Sequence, residues 1–266
     1  MTVPAEAPNL VRLDGVTMHY GRGKQAVQVL DNVSLDIKKS EIIAVVGPSG
    51  CGKSSLMKLI SGLHMASAGS VLVENNQVKA PLKSVGMAFQ ASNLLPWRTV
   101  VDNVLLPLEI VQPHRSRIRR ERKQYKAKAE ALLAQVGLKD FTEKFPWQLS
   151  GGMQQRTSIC RALVHEPDIL MLDEPFGALD AFTREELWCT LRDIQKARGV
   201  TVMLVTHDLR EAVFLADTVY VMSNRPGTIL KRCTVDIPRP RDLDVTYAQP
   251  FQDIVHELRA LIGGRH

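Results

Sequence analysis

Strand-length runs of consecutive apolar residues recur along the chain, at Glu41 to Val46, Ile169 to Asp173, Thr201 to Thr206 and Thr218 to Met222. Runs with no polar face and many β-branched residues predict strands covered on both sides, and helical patterns separate several of them. A largely parallel sheet follows. The segment Thr183 to Ala197 reads as a helix that opens on a capping threonine, carries Glu186 three residues later and stops at Gly199. A second helix is predicted from about Arg120 to Val136, ending at Gly137. Between Gln90 and Gln148 the strand signals fade, helical ones take over, and Pro96, Pro107 and Pro113 punctuate the stretch, which predicts a helical lobe inserted into an α/β core. From about Asn224 come Pro226, Pro238 and Pro240, then an amphipathic helix with Ile254, Leu258, Leu261 and Ile262 on one face.

Composition narrows the class only a little. With 266 residues, 45% apolar and 23% charged, the chain reads as an ordinary folded protein. No apolar stretch approaches the roughly 20 residues of a spanning helix. The start, MTVPAEAPNL, has neither a basic opening nor an apolar core, so nothing there predicts export, and the chain is expected in the cytoplasm. Cys51, Cys160, Cys189 and Cys233 are scattered, which argues against both a metal site and disulfide stapling. The net charge of +6 suits nucleic acid, an anionic membrane surface or a basic nucleotide-binding enzyme, and does not choose among them. Its sharpest local feature is the run Arg115 to Lys128, with Arg117, Arg119, Arg120, Arg122, Lys123, Lys126 and Lys128. The run reads first as a solvated helix face and second as a surface lying near anionic headgroups.

Chemistry enters at Gly47 to Ser54, GPSGCGKS, which matches G-x-x-x-x-G-K-[ST] between an apolar strand and a helical run Ser54 to Ile60. Gly47, Gly50 and Gly52 let the backbone turn around an anion, and N–H groups at the helix start point at phosphates. Lys53 brings a point charge to the outer phosphates, and Ser54 a hydroxyl to Mg²⁺. This loop alone leaves kinases, GTPases and motors open. Ile169 to Pro175, ILMLDEP, delivers two acids at a strand end, where ligands gather in open α/β sheets. Asp173 can hold a metal through water, and Glu174 can orient or deprotonate the attacking water. Leu149 to Arg156, LSGGMQQR, places Ser150 at a helix N-cap followed by two glycines that leave the backbone bare, a second anion-binding helix start.

The loop, then LSGGMQQR, then ILMLDEP, then Asp180 in ALD and His207 after a strand, together resemble the ABC transporter ATPase family over about Leu10 to Met222. The resemblance implies a P-loop NTPase core with a mainly parallel sheet, an N-terminal antiparallel β part and an inserted helical lobe. It sets out one domain over residues 1–266: an α/β core at about 10–89 and 160–225, the lobe with its signature loop at about 90–159, and an extension at about 226–266. It implies ATP and Mg²⁺ as ligands, held by Tyr20, Gly47, Pro48, Ser49, Gly50, Cys51, Gly52, Lys53, Ser54, Ser55, Gln90 and Asp173, with Ser54, Gln90 and Asp173 serving the metal. Glu174 and His207 would be catalytic. Ser150, Gly151, Gly152, Gln154 and Asp180 would act on the nucleotide of a second copy, since two subunits of the family sandwich two nucleotides head to tail. Tyr20 resembles the adenine-stacking aromatic, with a strand-closing tyrosine as the structural alternative. Asp180 resembles the acid that bridges the two sites across the dimer, with a helix-capping acid as the structural alternative.

The stretches LLPWRTVVDNV (Leu94 to Val104) and SNRPGTI (Ser223 to Ile229) resemble the nitrate, sulfonate and taurine importers. Implied partners are a second ATPase subunit, two membrane permease subunits and, through them, an extracytoplasmic solute-binding protein. The subunit would sit peripherally on the cytoplasmic face of the membrane, touching neither cargo nor nucleic acid. ABC ATPases of DNA repair and translation are the other class, but the long heptad insertion and the second ATPase domain that mark them are missing here. A binding module without turnover fits less well, because Glu174 and His207 are both in place. Cys51, inside the loop near a helix start, reads as a space-filling residue or as a reactive thiolate.

Overall fold

In a computed structural model, residues 8–21 and 23–263 are described; the reading of the extreme N-terminus falls on residues 1–7, outside that range. In chain order the elements are β1 (Asn9–Tyr20), β2 (Val27–Lys38), β3 (Ile42–Val46), α1 (Lys53–Ile60), β4 (Ala68–Val73), β5 (Asn76–Gln77) and β6 (Val85–Ala88). There follow α2 (Val100–Leu105), α3 (His114–Arg117), α4 (Arg122–Gln135), α5 (Gly151–Leu163), β7 (Ile169–Asp173), α6 (Ala181–Arg198), β8 (Thr201–Thr206), α7 (Leu209–Leu215), β9 (Thr218–Met222), β10 (Ile229–Thr234) and α8 (Gln249–Gly263). Contacts divide these into two compact units, one running to Leu82 and resuming at Thr201, the other spanning Lys83–Val200.

In the first unit β2, β1, β4 and β5 form an antiparallel sheet, in the order given. A second layer places β3 between two parallel neighbours, with Val46 opposite Thr206 of β8 on one side and Val221 of β9 on the other. Every residue of β3, β8 and β9 is buried, which is the physical basis of their uniformly apolar runs. β10 runs antiparallel to β9. No clean apolar run marks β10 in the sequence, because three of its six positions are exposed, two are partly covered and only Cys233 is buried.

α8 confirms the amphipathic tail, but its fully buried anchors are Phe251 and Leu258, while Ile254, Leu261 and Ile262 are half-covered. No helix among the described residues is long and apolar enough to cross a membrane.

In the second unit β6 pairs in parallel with β7, Ala88 facing Leu172. Helices α2, α4 and α5 pack through Val101, Val104, Leu132, Leu133 and Ile159, all at or below 2% exposure. Asn103, fully buried on α2, organises the preceding loop: its Oδ1 accepts from Leu95 N at 2.7 Å and its Nδ2 donates to the carbonyls of Leu95, Arg98 and Thr99. A buried amide with all these bonds made is a specific fastener, and a costly one to break.

Helix α6 begins earlier than expected. Asp180, not Thr183, is the N-cap, and Thr183 supplies the N–H that Asp180 Oδ1 accepts at 3.0 Å. Glu186 therefore plays no part in a capping box; it pairs with Arg156 at 2.7 Å. The helix ends at Gly199, in the left-handed conformation that glycine adopts without strain.

The basic run is largely solvated, as its first reading has it, with Arg115, Arg117, Arg119, Arg120, Arg122 and Lys123 all exposed. Part of its charge is paired at the surface: Arg122 with Asp102 at 3.1 Å, Lys126 with Glu143 at 2.8 Å and Lys128 with Glu166 at 2.9 Å.

Candidate functional site

The first unit carries the glycine loop. β3 ends at Val46 and α1 starts at Lys53, so Gly47–Gly52 is the connection between a buried strand and a helix N-terminus. Gly52 caps α1 with φ 110°, and a Cβ there would lie 2.7 Å from Leu30 Cδ2. Only glycine meets both demands, a left-handed backbone and a close approach by β2. Lys53 is 6% exposed, and its Nζ donates to the carbonyls of Gly47 at 2.8 Å and Pro48 at 2.9 Å. The ammonium is thus folded back across the loop, bridging its start to its end, and two carbonyls compensate its burial.

The first N–H groups of α1 have no intrahelical acceptor, which makes this helix start a donor array for an anion. Ser54 is exposed at that start, whereas Ser55 is buried and lies 3.4 Å from the Tyr20 hydroxyl. Tyr20, half-exposed at the end of β1, meets the His64 ring edge to face at a centroid distance of 5.4 Å.

His207 follows β8 and is exposed. Behind it Asp208 caps α7, accepting from Arg210 N at 2.9 Å and Glu211 N at 3.3 Å. A cavity of about 700 Å³ is lined by Gly47, Pro48 and Ser49 of the loop, by His207, Asp208 and Arg210, and by α8. The structure thus brings Lys53, Ser54 and His207 into one unit, with His207 and the loop backbone on one cavity.

For Cys51 the structure favours the space-filling reading over the thiolate. Its side chain is 1% exposed, and burial pushes its thiol pKa up despite the nearby Lys53 ammonium. The helix start does not make this residue a thiolate, so the space-filling reading stands.

The second unit carries the remaining residues. Asp173 ends β7 and Glu174 follows with φ 46°, a left-handed conformation rare for a non-glycine residue. Strain of this kind persists only where the surroundings enforce it. Here Phe176, fully buried, anchors the turn, and Gly177 N and Leu179 N close it onto the carbonyls of Glu174 and Phe176.

Gln90 lies exposed just past β6. Its segment is held by α5 through contacts the sequence reading did not anticipate. Gln155 Nε2 donates to Phe89 O at 3.1 Å, and Arg161 donates to Ser92 O at 2.6 Å and Asn93 O at 2.8 Å. Burial lowers the Arg161 pKa, in keeping with a structural cation. Only an amide and a long cation on the inner face of α5, at positions where apolar residues would be expected, hint at this in the sequence.

Ser150 is the N-cap of α5, accepting from Met153 N at 3.3 Å, as expected. Gly151 is exposed at the first helical position. Gln154, by contrast, is committed within the lobe: its Nε2 donates to Pro146 O at 3.0 Å and Leu149 O at 3.3 Å, and its Oε1 accepts from Ser92 at 3.1 Å. Asp180 is exposed, and the Thr183 N–H that it caps holds its carboxyl below the usual range.

Residues 30–177 match the family described as ABC transporter. Over 244 residues, 92% of either chain, the sequence is 38% identical to the aliphatic sulfonates import ATP-binding protein SsuB of Bacillus cereus. It is 42% identical over 227 residues, 85% of either chain, to the taurine import ATP-binding protein TauB of Yersinia pestis. Among solved structures, a dimeric ATP-binding cassette in a post-hydrolysis state bound to ADP and Pi is 31% identical and superposes with a TM-score of 0.71, covering 86% of this chain and 100% of that one.

Proposed function

The chain belongs to the ABC transporter family as an ATP-binding, ATP-hydrolysing cassette, and from that premise we propose that it drives uptake of a small sulfonate, an aliphatic sulfonate or taurine, through a membrane permease. The observation that carries the ATPase chemistry is the loop Gly47–Ser54, with Lys53 Nζ bridging its carbonyls and His207 on the cavity that the loop lines. Lys53 and the loop N–H groups bind the phosphates, and His207 steadies the terminal one. Glu174 orients the attacking water and takes its proton. Tyr20 stacks on the base. Ser54, whose hydroxyl is exposed, would hold Mg²⁺ together with Asp173 and Gln90, oxygen donors that suit this ion, and the bound ion would supply charge neutralisation at the phosphates. Ser150, Gly151 and Gly152 offer a helix start to the nucleotide of a second copy, and Asp180 faces that copy. Two cassettes bind two permease subunits on the cytoplasmic face of the membrane, and a solute receptor selects the cargo.

Glu174→Gln tests this reading. The variant retains ATP binding, loses hydrolysis and accumulates as a nucleotide-bound dimer on size-exclusion chromatography, while Lys53→Ala weakens binding itself. Equal hydrolysis by the Glu174→Gln variant and the unaltered chain refutes the assignment. Co-purified permease and receptor, tested by calorimetry with taurine, an alkanesulfonate and nitrate, identify the solute.

A further inference from the structure

Arg241 lies in the extension that follows β10, yet it is among the most buried charges of the first unit, at 2% exposure. Its Nη1 donates to the carbonyls of Val213 at 2.9 Å, Phe214 at 3.1 Å and Ala216 at 2.6 Å. Its Nε reaches Ile237 O at 3.2 Å, and its Nη2 reaches Val235 O at 3.1 Å. The first set belongs to the carboxyl end of α7, where carbonyls lack intrahelical donors and the helix dipole favours a cation. Burial pulls the guanidinium pKa down to about 10, so it stays charged at neutral pH.

The neighbouring Arg239 extends the clamp. Its Nη2 donates to Leu215 O at 2.5 Å and its Nε pairs with Asp217 Oδ1 at 2.7 Å. The other oxygen of Asp217 accepts from Ile42 N at 2.9 Å, on the strand that feeds the glycine loop.

The opposite end of α7 leads straight to His207. Arg210, in its first turn, donates to Thr246 Oγ1 at 3.3 Å, and Thr246 in turn donates to Leu243 O at 2.7 Å. Gln252, Val255 and Arg259 of α8 then share the cavity with His207 and Gly47. Leu209–Leu215 is about 10 Å long at 1.5 Å per residue, too short to bend, so holding its carboxyl end fixes where its amino end begins.

We propose that Arg241 is a positioning residue for ATP hydrolysis: it clamps the carboxyl end of α7 and thereby sets the place of His207 beside the glycine loop. The C-terminal extension is then a working part of the nucleotide site. This rests on the role given to His207 above.

The test is a double-mutant cycle in the full chain, with kcat and KM for Mg-ATP measured by phosphate release. Arg241→Met lowers kcat about tenfold, equivalent to about 1.4 kcal/mol, and leaves KM within about twofold, because Lys53 and its carbonyl partners are untouched. In a His207→Ala background the same substitution changes kcat by less than about twofold, since the group it positions is gone. Arg241→Lys, which keeps the charge but not the fork, recovers part of the loss.

An unchanged kcat in Arg241→Met overturns the proposal. So does a tenfold loss that persists in full alongside His207→Ala, because that loss is structural. If His207→Ala alone hydrolyses at the normal rate, the role of His207 falls and the proposal falls with it, by a route the cycle distinguishes. Should Arg241→Met fail to fold, Thr246→Val is read in the same cycle, with a loss of about two- to threefold expected only when His207 is present.

Discussion

Replacing Gly151 by alanine separates what the start of α5 does for the fold from what it does for a ligand. Gly151 occupies the first helical position and does not use the left-handed backbone. A Cβ built there meets nothing nearer than Leu179 Cδ2 at 4.0 Å, so the methyl has room and no strain. Alanine is favoured over glycine in helices by up to about 1 kcal/mol. In a chain of this size that raises the melting temperature by up to about 3 °C.

The same methyl covers the backbone that would receive a phosphate. Shifting a bound phosphate by about 1 Å costs on the order of 10²-fold in rate. The expected result is an equally or more stable protein with hydrolysis reduced about 10²-fold. Nucleotide binding by the isolated subunit, which depends on Lys53, is unchanged.

Gly152→Ala has the opposite signature. Its Cβ would lie 2.5 Å from Thr183 Cγ2, so it costs about 1–3 kcal/mol of stability before any question of function arises. Differential scanning calorimetry and phosphate release in excess Mg-ATP read both variants. A Gly151→Ala protein that hydrolyses at the unaltered rate, or melts lower, refutes the reasoning.

The remaining predictions concern buried thiols and the Gln90 segment. Cys51 reacts with iodoacetamide at pH 8 at least about tenfold more slowly than an unhindered thiol, because it is buried and its pKa is raised; mass-spectrometric labelling as fast as a model peptide contradicts this. Cys160 is fully buried, and burial pushes its thiol pKa in the folded state up to about 12, above the ordinary 9.0. A raised folded pKa means that its contribution is fully present below pH 9 and is lost as pH rises toward 12. The slope is roughly 1.4 kcal/mol per pH unit. Urea unfolding between pH 9 and 11 should therefore show a flatter loss for Cys160→Ala, and parallel curves would count against it. Arg161→Met frees the carbonyls of Ser92 and Asn93, so it speeds amide exchange in that segment while leaving α5 protected; unchanged exchange there means the two bonds do not hold it.

Much of the site was legible because its chemistry is local. The spacing of GPSGCGKS dictates a strand-to-helix turn, and the structure forms it between Val46 and Lys53. β3, β7, β8 and β9 were readable because strands buried on both faces have no polar positions to blur them. The start of α6 was misplaced because Asp180 and Thr183 both suit a cap, and only three-dimensional contact shows which carboxylate accepts which N–H.

The sequence by itself therefore determined the parallel strands, the phosphate loop, the capped start of α5 and, through the combination of motifs, the family. Tertiary structure alone decided that Cys51 is a packed thiol, that Gln154 bonds to Ser92 and to the carbonyls of Pro146 and Leu149, which cations of the basic run are paired, and that Arg241 holds the end of α7. The reason is physical. A turn or a cap is made by neighbours in the chain, whereas burial and partnership depend on residues far apart in it: Arg241 meets Val213 across 28 positions, and no local pattern encodes that meeting.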